Sequence, residues 1–325
     1  MTPLERALRD RIRADGPVTV EAYMEACNAY YYAARDPFGP AGDFTTAPEI
    51  SQMFGEMVGA ALADCWQRAG SPPDAVYVEL GPGRGTLAAD ALRVMRRAGF
   101  GGEVHLVETS PVLRNVQKQA VPDALWHERV DALPQRPILL AANEFLDALP
   151  IRQFVNGVER RVTVAAGGLA FDRDGEIVES SPARDETVAA VGRTLVQHGG
   201  AALFIDYGHE KSASGDTLQA VRGHRFAGVL DHPGEQDLTS HVDFEVVDRV
   251  ASEAGAAVTR VVSQGEWLER LGIHARADAL ARSNAGRADD IVPALERLTA
   301  ADQMGQLFKV IAIHSPDWPA PAGFE

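Results

Sequence analysis

The residues most able to do chemistry lie together in one short stretch, where an acid precedes three glycines at alternate positions. They are Glu79, Gly81, Gly83 and Gly85, after an apolar run and before a helix-forming run that begins at Thr86. Glycine lets the backbone approach a ligand closely because it has no Cβ atom. The N–H groups of the first helical turn then face the ligand. This order of strand, glycine turn and helix predicts a site for a nucleotide-like molecule.

A second acid follows the next apolar strand. Glu108 ends the run at 104–108 and lies about 20 positions after the glycines, the spacing of an acid that hydrogen-bonds the hydroxyls of a ribose. A carboxylate suits this task because it accepts from two adjacent hydroxyls at once. NAD and S-adenosylmethionine (SAM) both carry such a ribose, so Glu108 indicates a nucleoside and leaves its identity open.

Two classes of nucleotide site match the glycine turn. The segment 83–88 fits the dinucleotide fingerprint G-x-G-x-x-G/A, which would predict NAD. The acid two residues before three alternating glycines instead resembles motif I of class I SAM methyltransferases, a match that uses more of the residues. It implies that SAM contacts Glu79, Gly81, Pro82, Gly83, Gly85, Glu108 and Ser110. A glycine-rich turn without a ligand is the structural alternative.

The composition limits the partners and the compartment. The chain has 325 residues, of which 46% are hydrophobic, so it can bury a sizeable core. Its formal net charge of −15 argues against nucleic acid, whose phosphates need clustered cations, and leaves a basic peptide or protein as the substrate. Cys27 and Cys65 offer neither a disulfide framework nor metal-ligand spacing. Without a signal-peptide pattern or a membrane-length apolar run, we expect a soluble, cytoplasmic bacterial protein with no membrane insertion.

Apolar strands alternate with helices from residue 76 onward, which predicts an α/β fold with a doubly wound sheet. The expected strands are 76–80, 104–108, 124–126, 138–142, 201–206, 258–262 and 307–313. We expect residues 1–70 to form an N-terminal helical and loop extension that helps bind substrate and cofactor. Residues 71–325 would then form a SAM-dependent methyltransferase domain.

Two segments break the alternation of strands and helices. Residues 152–182 contain Asn-Gly and Gly-Gly turns between β-rich runs, which predicts β-hairpins. Residues 208–245 are polar, rich in Gly and His, and without a pattern, which favours an irregular lid. We therefore expect insertions at 152–198 and 208–245.

Several blocks along nearly the whole chain resemble the MidA family, the bacterial counterpart of a mitochondrial methyltransferase-type assembly factor of respiratory complex I. The blocks are Gly-Asp-Phe-Thr-Thr-Ala-Pro-Glu-Ile-Ser at 42–51, the glycine motif at 79–86, Ala-Asn-Glu-Phe-Leu-Asp-Ala-Leu-Pro at 142–150, and shorter runs at 204–208, 223–225 and 241–244. The resemblance implies a seven-stranded class I sheet with an antiparallel last strand, and SAM as the cofactor. It also implies symmetric dimethylation of an arginine on an iron–sulfur subunit of complex I, in support of complex assembly.

A carboxylate pair in the third block suits arginine chemistry. A guanidinium is a poor nucleophile because it stays cationic, with a pKa above about 12. Glu144 and Asp147 follow a buried strand at the carboxyl edge of the sheet, where they could hold a guanidinium bidentately and stabilise its charge. Asn143 precedes them and could contact SAM near its methyl group. In the structural alternative, Asn143 and Glu144 cap a short helix and Asp147 is solvated.

Two further segments are candidates for binding the methyl acceptor. Their residues are Asp43, Phe44, Thr45 and Thr46 in a loop dense in Gly and Pro, and His241 and Asp243 in the polar segment. We expect the segments to close over one cleft, where His241 or Asp243 could take the departing proton; ordinary loop hydrogen bonding is the alternative. The His and Asp spacings match no zinc or calcium motif, and methyl transfer to nitrogen needs no metal, so we expect none.

Two other functions stay open at this point. An NAD-dependent oxidoreductase would use the same glycine turn, but it would also need phosphate-compensating groups and a hydride-transfer acid, and neither is evident. A non-catalytic assembly chaperone could keep a SAM fold. Glu79, Glu108 and the Asn143–Glu144 pair favour a working site without proving turnover.

Overall fold

A mixed β-sheet lies at the centre of the structure, a computed structural model that describes residues 1–34, 45–283 and 288–325. The described residues form four sheets, of which the central one has nine strands. In chain order the strands of all four sheets are β1 (Val18–Thr19), β2 (Val76–Leu80), β3 (Val104–Val107), β4 (Leu125–His127), β5 (Ile138–Asn143), β6 (Arg152–Val155), β7 (Val158–Glu159), β8 (Arg161–Ala165), β9 (Gly168–Phe171), β10 (Ile177–Ser180), β11 (Gly200–His209), β12 (Gln219–Arg222), β13 (Arg225–Ala227), β14 (Asp237–Thr239), β15 (Val242–Asp243), β16 (Ala257–Val258), β17 (Val262–Ser263) and β18 (Phe308–His314). The helices are α1 (Pro3–Asp15), α2 (Val20–Ala34), α3 (Ala47–Ile50), α4 (Gln52–Arg68), α5 (Thr86–Arg97), α6 (Pro111–Ala120), α7 (Pro182–His198), α8 (Phe244–Glu253), α9 (Gln264–Arg270), α10 (Ile273–Ser283), α11 (Ala288–Thr299) and α12 (Met304–Leu307), with a 3-10 turn at Val130–Ala132.

The central sheet has the predicted class I methyltransferase arrangement. Within the described residues its main path runs β16-β18-β11-β5-β2-β3-β4, with β15 beside β11 and β17 beside β18. The strands β2, β3, β4, β5 and β11 are parallel, whereas β18 is antiparallel to β11. The prediction of a seven-stranded, mostly parallel sheet with an antiparallel last strand is therefore confirmed, with two short strands added at its sides.

One predicted strand, at 258–262, is divided in the structure. The strands β16 and β17 both pair with β18, but regular pairing stops at residues 259–261, where Thr259 keeps one backbone hydrogen bond, from its N–H to the carbonyl of Ala312 at 3.0 Å. The hydroxyl of Thr259 accepts a 3.0 Å hydrogen bond from the backbone N–H of Ala312, in place of a backbone carbonyl. A side chain that competes for the ladder interrupts a strand that apolar patterning alone predicts as continuous.

The central strands are apolar on both sides because each face packs on a separate core. In β2, Tyr77 belongs to the core that includes residues of α4 and α5, whereas Val76, Val78 and Leu80 belong to the core that includes α7 and α8. All five residues of β2 are buried. This two-sided burial is why the strand is a continuous apolar run instead of an alternating one.

A third core joins the N-terminal helices to the inserted strands. Leu8 and Ile12 of α1 and Tyr23 of α2 pack with Val162 of β8 and Leu238 of β14. The strand β1 extends this contact, because Val18 pairs with Val162 in an antiparallel ladder. The antiparallel groups β10-β6-β7 and β1-β8-β9 confirm the predicted hairpins, and α7 then leads back to the central sheet.

The polar segment at 208–245 is more regular than its composition indicates. The strands β13, β12 and β14 form a small antiparallel sheet within it, where an irregular lid was expected. Strand pairing across the segment supplies the order that an apolar pattern does not reveal. The predicted domain boundary at 70 and 71 stays a prediction. No helix among the described residues combines the length and apolar character needed to cross a bilayer.

Candidate active site

The glycine loop between β2 and α5 has a backbone that only glycine adopts easily. Gly81, Gly83 and Gly85 have φ angles of 60°, 53° and 82°, all in the left-handed region. A Cβ atom at Gly81 would lie 2.8 Å from Cδ2 of Phe145, so the Phe145 ring would have to shift for any larger residue. Gly85 is the N-cap of α5 and makes no side-chain cap, so the first N–H groups of this helix face the loop.

Glu79 is buried beside this loop. The Tyr77 hydroxyl donates a hydrogen bond of 2.6 Å to Oε2 of Glu79. Burial raises the pKa of Glu79 to about 8, because the carboxylate loses its hydration there. Glu79 lies on the wall of a cavity of about 370 Å³ at the carboxyl end of the sheet, which we call the main cavity. A carboxyl group in this state is poised to ionise when a cation enters the cavity.

Glu108 is held by hydrogen bonds from two directions. The backbone N–H of Ser110 donates to Oε1 at 2.8 Å, and the Gln117 side-chain amide donates to Oε2 at 3.1 Å. The same Gln117 nitrogen lies 2.7 Å from the carbonyl oxygen of Gly83. Burial raises the pKa of Glu108, although these donors oppose the shift. Gln117 thus connects the two predicted nucleoside-binding loops.

The sequence interpretation missed Gln117, but a signal was present. Gln117 is fully buried in α6, four residues after the buried Leu113 and hence on the same helical face. A polar residue on an apolar face needs hydrogen-bond partners, and Trp126 supplies a third by donating to Oε1 at 2.8 Å. A lone Gln inside an amphipathic pattern is therefore worth marking as a positioning residue.

Ser110 connects the start of α6 to the end of α2 by hydrogen bonds. Its hydroxyl donates to the backbone carbonyl of Tyr32 at 2.7 Å and accepts the N–H of Leu113 at 3.3 Å as the N-cap of α6. Ser110 and Glu108 line a second cavity of about 450 Å³. This cavity shares Tyr32, Gly81, Gly83 and Glu144 with the main cavity, so the glycine loop borders both.

Asn143 and Glu144 lie where β5 ends. The Asn143 amide donates a 3.1 Å hydrogen bond to Oε1 of Glu144, and Oδ1 of Asn143 is buried without a partner among the described residues. Glu144 has a φ of 50°, a left-handed conformation that strains a non-glycine residue. Burial, and then the nearby Asp147 carboxylate, raise the pKa of Glu144 to about 8. Strain and raised pKa coincide at a residue that lines the main cavity.

Asp147 is buried at the same cavity and backed by a second acid. Oδ2 of Asp206 accepts the backbone N–H groups of Leu146 and Asp147 at 2.9 Å and 3.2 Å. Burial raises the pKa of both carboxyl groups, and their mutual repulsion adds to the shift of Asp206. Oδ1 of Asp147 also has no hydrogen-bond partner among the described residues. Asp206 thus fixes the loop that presents Asp147.

Arg184 of α7 joins this loop to the polar insertion. Its buried guanidinium donates to the carbonyls of Leu146 and Asp147 at 2.6 Å and 3.2 Å on one side. On the other side it donates to the carbonyls of Ser240 and His241 at 3.1 Å and 2.7 Å. Burial lowers the pKa of Arg184, and nearby carboxylates oppose that shift. The sequence interpretation did not mark Arg184 or Asp206 as site residues.

The main cavity is strongly acidic. The carboxyl side chains on its wall are Glu49, Glu79, Glu144, Asp147 and Asp237. Arg84 is the one Arg or Lys among its described lining residues, and its Nη1 lies 3.6 Å from Oε2 of Glu49. Tyr32 also lies on the wall and donates a 2.8 Å hydrogen bond to Oδ1 of Asp237. Such a cavity favours cationic groups over anions such as the pyrophosphate of NAD.

The predicted acceptor-binding residues are divided between several places. Thr46 and His241 line the main cavity, whereas Thr45 is not among its lining residues. Asp243 caps α8, accepting the N–H of Val246 at 3.2 Å, and it borders a smaller cavity of about 130 Å³. The predicted residues Asp43 and Phe44 lie outside the described residues. In the described ranges no three His, Cys, Asp or Glu side chains are arranged to hold a metal ion.

Comparison with known proteins identifies the family. A family model for S-adenosyl-L-methionine-dependent methyltransferases matches residues 57–168 and 161–262. The chain is 34% identical to a Drosophila melanogaster protein named protein arginine methyltransferase NDUFAF7 homolog, mitochondrial, over 95% of this chain and 84% of that protein. It is 30% identical to the Homo sapiens protein arginine methyltransferase NDUFAF7, mitochondrial, over 96% of this chain and 83% of that protein.

A solved structure is similar over the same length. It is the crystal structure of a Burkholderia thailandensis protein bound to S-adenosyl-homocysteine, with a TM-score of 0.87 and 28% identity. The match covers 98% of this chain and 93% of that one. These findings confirm the predictions of a methyltransferase and of SAM as its cofactor, and they set aside the NAD alternative. The chain belongs to the MidA-like family of SAM-dependent methyltransferases that includes the NDUFAF7 proteins.

Proposed function

We propose that this methyltransferase acts on a guanidinium nitrogen of an arginine in a protein. The observation that carries the proposal is the acidic main cavity, where Glu144, Asp147 and Asp237 lie beside the glycine loop. Relatives named protein arginine methyltransferases support the acceptor class. Following the family resemblance, we further propose symmetric dimethylation of an iron–sulfur subunit of respiratory complex I in a bacterial cytoplasm, in support of complex assembly.

The residues present fit SAM. Gly81 and Gly83 of the glycine loop line both cavities, and Asn143 on the wall of the main cavity has a buried acceptor oxygen without a partner among the described residues. We propose that Glu108 binds the ribose hydroxyls, and that Glu79 and Asn143 bind the amino-acid part of the cofactor. When bound, SAM supplies a methyl group on a positively charged sulfur. The acidic wall of the cavity suits that charge.

The acceptor must be aligned and made reactive by the protein. We propose that Glu144 and Asp147 receive the guanidinium from two sides and orient one nitrogen toward the methyl group. Two hydrogen bonds position these acids: the Asn143 amide donates to the carboxyl group of Glu144, and the backbone N–H of Asp147 donates to Asp206. The nitrogen gains the methyl group and loses one proton, S-adenosyl-homocysteine leaves, and Glu144 accepts the proton. Entry of the guanidinium cation favours the ionised form of Glu144, and the raised pKa makes that carboxylate a stronger base than an exposed one.

The test separates cofactor binding from methyl transfer. We expect Glu144→Gln and Asp147→Asn to bind SAM with unchanged affinity by calorimetry, and to lose about 10²-fold or more in transfer rate. Transfer is measured as labelled methyl incorporated into purified iron–sulfur subunit, with the modified arginine located by mass spectrometry. Glu253→Gln, at an exposed position of α8, is the control.

Each outcome points to one conclusion. Full transfer in Glu144→Gln would remove this residue from the mechanism. SAM binding with no transfer by the wild type would favour the non-catalytic assembly chaperone. Methylation of a residue other than arginine would overturn the acceptor assignment.

A further inference from the structure

Two exposed apolar side chains lie at the acidic main cavity. Phe226 is 81% exposed and Leu307 is 50% exposed, yet both are lining residues of that cavity. Large apolar side chains in the described parts of the chain are otherwise mostly buried. Exposed apolar groups beside a binding cavity commonly mark a contact with a partner.

The position of Phe226 is set by a strand ladder. Phe226 of β13 pairs with Val221 of β12, and in a strand every second residue points to the same face, so Gln219 shares the face of Val221. All three residues line the main cavity. Gln219 anchors this face, because its amide donates a 2.8 Å hydrogen bond to the Tyr207 hydroxyl. The hairpin therefore presents Phe226 to the cavity without burying it.

Leu307 comes from a different part of the fold. It ends α12 directly before Phe308, which starts β18 and is buried. The Phe308 ring packs edge-on against Tyr207, with centroids 5.7 Å apart. The chain thus turns from a buried aromatic in the sheet to an exposed leucine at the cavity. We call Val221, Phe226 and Leu307 the apolar rim.

We infer that the apolar rim binds an apolar side chain adjacent to the target arginine in the substrate polypeptide, an inference that rests on the proposed function. The wall of the cavity is acidic and suits the guanidinium. Neighbouring residues of an extended chain lie about 3.5 Å apart per residue, so the residue beside an inserted arginine must cross the mouth. An exposed aromatic ring there gains contact area at a low entropy cost, which is typical of interface hot spots.

The experiment compares two synthetic peptides that contain one arginine and differ only in its neighbours, leucine in one and serine in the other. We expect the wild-type chain to prefer the leucine peptide by about tenfold in kcat/KM at saturating SAM. Phe226→Ala and Leu307→Ala should each reduce this preference through KM, while SAM affinity stays unchanged. Phe226→Leu should restore part of it.

Two matched controls are available in the chain. Leu125→Ala removes the same side chain as Leu307→Ala from a position of similar exposure, 48%, that does not line the cavity. Arg225→Ala changes the neighbour of Phe226 on the opposite face of β13. Both variants should keep the preference for leucine.

The outcomes separate the rim from the proposed function. Arginine methylation of both peptides at equal kcat/KM by the wild type would show that the apolar rim does not bind the neighbouring side chain, and it would leave the proposed function standing. No methylation of either peptide would overturn the proposed function, and this inference with it. A wild-type dimer that Phe226→Ala converts to monomer would assign the rim to a second copy of the chain, which also overturns the inference.

Discussion

The side-chain amide of Gln117 donates a 3.1 Å hydrogen bond to Oε2 of Glu108, the acid that we assign to the ribose. Because the same nitrogen lies 2.7 Å from the carbonyl of Gly83, one buried side chain sets the distance between the two cofactor loops. This relationship explains how residues far apart in sequence are held ready for one ligand. It also makes Gln117 a positioning residue outside the acceptor site.

We predict that Gln117→Ala weakens SAM binding about tenfold and leaves the KM for the acceptor unchanged. The physical reason is that Glu108 loses a donor and can rotate away from the ribose, a loss of about 1–2 kcal/mol. Calorimetry measures the affinity and steady-state kinetics the KM. Gln119→Ala, at an exposed position of the same helix, is the matched control. Equal SAM affinity in both variants would contradict this role.

The backbone of Glu144 gives a second prediction. At a φ of 50°, alanine keeps the left-handed strain and glycine relieves it. We therefore expect the free energy of unfolding, measured by urea denaturation, to be about 1 kcal/mol higher for Glu144→Gly than for Glu144→Ala. Both variants lack the carboxylate, so the comparison isolates the backbone. At Glu253, inside the last turn of α8, the order should reverse, because glycine weakens a helix. If the glycine variant were the more stable one at both positions, the proposed backbone strain at Glu144 would be contradicted.

The third prediction concerns Arg184. Arg184→Lys cannot reach the carbonyls on both sides, so we expect it to lower the free energy of unfolding by about 3 kcal/mol and to leave buried carbonyls without donors. Urea denaturation measures the change. Arg193→Lys, exposed on the same helix, should change stability by less than about 0.5 kcal/mol. Similar stabilities for the two variants would remove Arg184 as the link between Asp147 and the polar insertion.

The fourth prediction is a pH dependence that comes from Glu79. Burial raises its pKa from 4.5 to about 8, so between these values the folded state holds a proton that the unfolded state has released. The stabilising effect of that proton is complete below pH 4.5 and is lost as the pH rises to about 8. We expect the ligand-free protein to lose stability over this range. Glu79→Gln should reduce that slope by the share of Glu79 and leave the share of Glu144, whose pKa burial also raises to about 8. Urea denaturation at several pH values tests this.

The control for this prediction is Glu103→Gln, at an exposed position just before β3. It should keep the wild-type slope. Glu79→Gln should also bind SAM more weakly, because a neutral amide cannot match a cationic ligand. A Glu79→Gln variant with an unchanged slope would show that the carboxyl of Glu79 is ionised in the folded state.

Local features of the chain were predictable from the sequence because their causes are local. The strand β2 spans the predicted residues 76–80 and the helix α5 begins at Thr86 as predicted, because a glycine turn separates the two runs. Ser51 caps α4 by accepting the N–H of Met53 at 3.2 Å, the local role that Ser directly before a helical run favours. The glycine motif and the acids that follow predicted strands are also local runs, so they indicated a nucleoside site and acids at the carboxyl edge of the sheet.

Long-range pairing decided the rest. Val18 pairs with Val162, and Asn28 of α2 bonds Leu238 of β14, so the N-terminal extension and the insertions share a core that no local period reveals. Asp206 and Arg184 became site residues only because folding brings their strand and helix to the loop at Asp147. By itself, the sequence determined the fold class, predicted the cofactor through its family resemblance, and marked the candidate acids. Only the tertiary structure decided which polar side chains hold those acids in place, because buried hydrogen bonds depend on partners that are distant in sequence.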